Sequence, residues 1–138
     1  MVRTGETAYT ARVSVVGGRE GHAISDDRRL DLSLARPGSA SGGVNPEQLF
    51  AAALGACFQS ALMSVARQRG LDASASVVDA SASLVRGAGG YSLGVALRIT
   101  ISGMPLEQIR ELATSAEQLC PYAQAIRGNV TITMDVAN

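Results

Sequence analysis

Two cysteines, Cys57 and Cys120, are the residues of this chain best suited to covalent chemistry. A thiol attacks only as its thiolate, so a working cysteine needs a cation or a helix start close by. Cys57 lies in the apolar run Leu49 to Phe58, and its own helix offers no positive side chain within a turn. The charge must come from elsewhere, from an arginine or from His22. Cys120 directly precedes Pro121. If a helical turn opens at that proline, Cys120 is its N-cap, where the dipole favours a thiolate. The ordinary alternatives are a small buried hydrophobe at Cys57 and a packing residue in a loop at Cys120. Two thiols so placed, with no leader segment expected at Met1 to Glu6, suggest redox chemistry more than structural cross-linking.

Other chemistries fit less well. Two cysteines and one histidine without short spacing do not make a zinc site. A cysteine hydrolase would need His22 as its base, and nothing near it in sequence looks like an orienting partner. The glycine clusters lack the strand–loop–helix setting of a phosphate cradle. Formal net charge is zero, and all twelve basic residues are arginines scattered along the chain, so no nucleic-acid partner is expected. The Leu49–Phe58 run is too short to span a bilayer, so a cytoplasmic protein is expected. Two charged residues stand out beside the thiols. Arg19 sits in the glycine-flanked turn Gly17 to Gly21, where the ordinary role is a solvated side chain. Glu47 takes the second position of a long helix, where a carboxylate is favoured by the dipole in any case.

The elements that must position these residues follow from pattern. At 138 residues the chain is long enough for one domain with a real core, and residues 1–138 are expected to form one. Tyr9 to Val16 alternates as a strand, Gly17 to Gly21 turns, and His22 to Ser25 pairs back as a hairpin. A strand near Leu30 to Leu34 and a small-residue loop follow. Asn45 and Pro46 then open a helix running to about Arg69, with Gly70 as its stop. Its first half is apolar all round, which predicts burial all round and favours a second subunit as cover. Ser74 to Val85 reads as a strand, bulged at Val77-Val78 where the alternation slips. Gly87 to Gly90 is a hairpin turn, and Leu93 to Ile101 alternates as its return strand. Pro105 opens a second helix with Leu106, Ile109, Ala113 and Ala116 on one face. Val130 to Val136 closes the chain as a strand. The order predicts an α+β fold.

Three segments carry a family resemblance across nearly the whole chain. Asn45-Pro46-Glu47-Gln48-Leu49-Phe50-Ala51-Ala52 with Ala56-Cys57-Phe58 resembles the first signature of the organic hydroperoxide resistance branch of the OsmC/Ohr family. Cys120-Pro121-Tyr122 with Arg127-Gly128-Asn129 resembles the second, and Gly17 to Gly21 resembles the family's N-terminal arginine turn. The resemblance implies an intertwined homodimer of antiparallel sheets packed around long central helices. It implies a thiol-dependent peroxidase in which Cys57 is peroxidatic, Cys120 resolving, and Arg19 and Glu47 the charges that activate Cys57. It implies an organic hydroperoxide as substrate, a dihydrolipoyl group on a partner protein as reductant, and no bound cofactor or metal. Phe50, Leu54, Phe58, Tyr122 and Ile126 could then form an apolar wall beside the sulfur, suited to an alkyl or fatty-acid hydroperoxide. The chain departs from the family at Ala53-Leu54-Gly55 and at Ala123 to Ile126, which bears on substrate preference more than on chemistry. The rival readings are a non-catalytic binder of apolar small molecules and a hydrolase acting through Cys57.

Overall fold

The structure is a computed structural model describing residues 4–138; Met1 to Arg3, part of the segment read for a leader, lie outside the described residues. The chain divides into two compact units, one ending at Pro46 and one running from Glu47 to Asn138.

The first unit is an antiparallel sheet of β1 (Val13–Val16), β2 (His22–Ser25) and β3 (Asp31–Ser33), in that order. The expected hairpin is present, with Val16 opposite His22 and Val13 opposite Ser25. The first strand is shorter than its alternation predicted, and Tyr9 is exposed. A single 3-10 turn, Gly18–Glu20, joins β1 to β2 and carries Arg19. Glycine is required at both ends of that turn. Gly17 has φ of 75°, and a Cβ on Gly21 would fall 1.7 Å from the Val16 carbonyl oxygen.

The second unit holds the larger core. Helix α1 (Pro46–Gln68) is continuous, begins with proline at its first position, and ends as expected at Gly70. There φ of 70° lets the Gly70 and Leu71 amides fold back onto the Arg67 and Ala66 carbonyls. A turn built on the Asp72 carboxylate, which accepts from the Ser74 amide at 2.8 Å, leads into β4 (Val77–Gly87). β4 pairs with β5 (Gly90–Thr100) residue for residue, from Val77 opposite Thr100 to Gly87 opposite Gly90. The bulge predicted at Val77-Val78 is therefore absent. Ser74 to Ser76 belong to the turn, and the apparent slip is an outward-facing Val77 beside an inward-facing Val78.

After β5 come α2 (Leu106–Leu119), α3 (Pro121–Ile126) and β6 (Ile132–Ala137). β6 pairs parallel to β5, so the second sheet is mixed and the expectation of antiparallel sheets holds only for the first. The α2–α3 crossover carries the chain back to the same end before β6 begins, and a parallel pair needs such a connection.

Leu54, Phe58, Leu62 and Val65 of α1 share one core with Val95, Leu97 and Ile99 of β5 and Ile109, Leu112 and Ala116 of α2. α1 is long and apolar enough to cross a bilayer by length and composition alone, although the Leu49–Phe58 run predicted otherwise. A core helix has the same character, and α1 packs one face into the core. Within one chain the burial is one-sided: Ala52, Ala53, Ala56 and Ser60 remain exposed, on the helix for which a second subunit is the expected cover.

Candidate functional site

The fold brings Cys57 and Cys120, 63 residues apart in sequence, to a sulfur–sulfur separation of 3.2 Å. Cys57 occupies the middle of α1. Cys120 occupies the single-residue joint between α2 and α3. Its amide donates to the Ala116 carbonyl at 2.8 Å and closes α2, while its carbonyl accepts from Gln124 and opens α3. Pro121 at the first helical position and extended angles at Cys120 make it the N-cap, as the Cys120-Pro121 pair predicted. The sulfur itself takes the capping role, accepting from the Ala123 amide at 3.5 Å.

The two thiols differ in exposure. Cys120 is fully buried, whereas Cys57 is partly open to solvent. Both are free thiols, and a shift of about 1 Å would bring the sulfurs to bonding distance. Burial pushes the Cys120 thiol above its ordinary value, and the neighbouring Cys57 sulfur adds to the rise. The Ala123 and Tyr122 amides oppose it and lose. The expectation that the helix start would favour a thiolate at Cys120 is thus corrected: desolvation outweighs the amides. Cys120 is the S–H donor of the pair and Cys57 the acceptor.

A folded-state thiol pKa above the unfolded value stabilises the protein fully below the unfolded value, and that contribution is lost as pH rises through the folded one. The reduced protein should therefore lose urea resistance as pH climbs past 9.0, the ordinary thiol value. Cys120→Ala should lose less over the same range. Parallel urea-midpoint curves for the two proteins would contradict the assignment.

The remaining site residues are distributed as follows. Leu54 and Phe58 are enclosed in the core at 1% and 0% exposure. Phe50 and Ile126 pack partly buried against it, and the Tyr122 side chain is half exposed. Glu47 lies in the first turn of α1, half buried, and Arg19 lies exposed on the 3-10 turn of the first unit. Both are engaged in interactions within the structure. His22 does have an orienting partner, contrary to the sequence reading: its Nε2 lies 2.5 Å from Asp31 Oδ1. The pair sits diagonally across β2 and β3, since Asp31 faces Ile24 and His22 faces Ser33. Among the described residues, no three His, Cys, Asp or Glu side chains gather as a metal's ligands would.

The chain is similar to known proteins over most of its length. Residues 38–135 match the family model described as OsmC-like protein. The chain is 42% identical over 134 residues to the organic hydroperoxide resistance protein of Xanthomonas axonopodis pv. citri, covering 94% of each. It is 43% identical to OhrA of Bacillus subtilis, covering 94% of this chain and 96% of that protein. The crystal structure of Bacillus subtilis OhrB superposes with a TM-score of 0.90 at 38% identity, covering 95% of this chain and all of the other. On the match of most of its length, its α+β fold and these identities, the chain belongs to the OsmC-like family, within its organic hydroperoxide resistance branch.

Proposed function

We propose that this protein is a thiol-dependent peroxidase that reduces organic hydroperoxides to alcohols. The observation that carries the reading is the pair of free sulfurs at 3.2 Å, one reachable and one buried. The Cys57 thiolate attacks the distal peroxide oxygen, the O–O bond breaks, and the alkoxide leaves as the alcohol after taking a proton. Cys57 is left as a sulfenic acid. The Cys120 sulfur then displaces the hydroxyl, releasing water and forming the Cys57–Cys120 disulfide. An external dithiol reopens that bond by exchange, and a dihydrolipoyl group on a partner protein suits the task.

Arg19 and Glu47 act as the charged pair that activates Cys57: the Arg19 guanidinium stabilises the thiolate and orients a peroxide oxygen, and the Glu47 carboxylate pairs with that arginine. Of the apolar side chains proposed to form a wall beside the sulfur, Phe50, Tyr122 and Ile126 keep enough exposure to meet an alkyl or fatty-acid chain, while Leu54 and Phe58 are enclosed in the core. The chemistry requires no metal or haem. The working form is a homodimer in the cytoplasm.

The test is a thiol count before and after one equivalent of cumene or tert-butyl hydroperoxide. Loss of both thiols of each chain, with one alcohol formed, is the expected result. Unchanged thiols would favour the binder of apolar small molecules. Ester or peptide turnover without disulfide formation would favour a hydrolase acting through Cys57.

A further inference from the structure

Two side chains outside the sulfur pair strap the joint on which Cys120 rides. Helix α2 carries no basic residue in its last turn, so its terminal carbonyls depend on donors from elsewhere. Gln124 of α3 donates from Nε2 to the Gln118 carbonyl at 2.7 Å. Arg127, just past α3, donates from Nη2 to the Glu117 carbonyl at 3.2 Å. The turn that follows aims Arg127 back toward α2: Gly128 has φ of 83°, and the Asn129 and Val130 amides both return to the Ile126 carbonyl. Helix α3 has only six residues, too short to persist alone, so its angle to α2 rests on its contacts: the backbone bonds at Cys120, the packing of Ala123 and Ile126, and these two straps. That angle fixes where the Cys120 sulfur stands relative to Cys57.

We infer that Gln124 and Arg127 are positioning residues for the resolving step: they hold the α2–α3 elbow so that the Cys120 sulfur meets the Cys57 sulfenic acid before a second peroxide does. The inference rests on the peroxidase reading above. The step they serve breaks the S–O bond of the Cys57 sulfenic acid and forms the S–S bond. Its hydroxyl departs as water with the Cys120 proton, and the electron pair comes from the Cys120 sulfur. Both straps end on carbonyls of α2, so the first attack on peroxide is left to Cys57. A loosened elbow lowers the effective concentration of one sulfur at the other, and the sulfenic acid then survives to be oxidised further.

The experiment compares the two steps by stopped flow and mass spectrometry in the full-length protein. Gln124→Glu keeps the side chain's size but removes its donor and sets a carboxylate oxygen against the Gln118 carbonyl. Arg127→Met keeps the aliphatic stem and removes the donor. Each should slow disulfide formation about fivefold, the size expected for losing one hydrogen bond, with the peroxide step within about twofold of the parent. Cys57 sulfinic acid should accumulate at peroxide levels the parent withstands. Arg127→Lys, which can still donate, should recover most of the condensation rate. A purely structural role would lower the melting temperature without separating the two rates. Condensation at the parent's rate in both variants, while the parent itself cycles, would overturn this inference alone. A parent that never forms the disulfide would overturn the functional reading and this inference with it.

Discussion

Cys57→Ser should abolish peroxide reduction, by about three orders of magnitude or more, because a serine hydroxyl has no accessible anion at neutral pH. Cys120→Ser should behave differently in kind. It should consume one equivalent of hydroperoxide at close to the parent's rate, then stall as a sulfenic acid on Cys57 that trapping reagents capture. The geometry makes the second variant a clean one. Cys120 is an N-cap whose sulfur accepts from the Ala123 amide, and serine is among the preferred residues at that position. The start of α3 should survive, and the buried hydroxyl keeps a donor to satisfy. What is lost is the sulfur 3.2 Å from Cys57. Burst kinetics with tert-butyl hydroperoxide, followed by mass spectrometry of the product, separate the two outcomes. A Cys57→Ser protein that still reduces peroxide would sink the assignment, as would a Cys120→Ser protein that turns over repeatedly with dithiol at the parent's rate.

The chemistry of the two thiols was partly legible in the sequence. Cys120-Pro121 announced a helix start, because proline's missing amide and fixed φ suit the first helical position. Gly70 announced the end of α1, and Gly87 to Gly90 a tight hairpin; Gly70 at φ of 70° and Gly90 at φ of 109° take a backbone that only glycine adopts without strain. What pattern could not convey was direction and neighbourhood. The alternation in the last strand is identical whether it pairs parallel or antiparallel, so the parallel β5–β6 pairing is set by the α2–α3 crossover instead. The electrostatics of Cys120 turned on burial, which local sequence does not state. A helix start was visible and its enclosure was not, so the direction of the pKa came out reversed. The His22–Asp31 pair was recoverable in principle, since the hairpin register places the two residues diagonally on one face. The Gln124 and Arg127 straps were not, because they depend on how two long side chains fold back over a joint.

A site completed by a second copy of the chain is the remaining expectation, and α1 supplies its logic. Glu47 and Cys57 are ten residues apart on one helix, about 15 Å along its axis. A break at Gly55 would have let the carboxylate fold back onto its own sulfur. None occurs: Gly55 is helical and buried, and a Cβ there would stand 3.2 Å from that of Ala80. The glycine serves a close approach between α1 and β4, not a kink. Glu47 therefore stays a full 15 Å or so from Cys57 of the same chain along that axis, and its carboxylate cannot polarise that thiol. Ala52, Ala56 and Ser60, one turn apart on the exposed side of α1, leave room for a second helix to lie close. An antiparallel copy related by a two-fold axis would bring Glu47 of one protomer toward Cys57 of the other. Glu47→Ala and Cys57→Ser proteins should each be inactive alone. Unfolded and refolded together, they should recover about a quarter of the parent's activity, since half of the dimers are mixed and each mixed dimer holds one complete site of two. Mixed dimers confirmed by mass spectrometry yet inactive would place the whole site within a single chain.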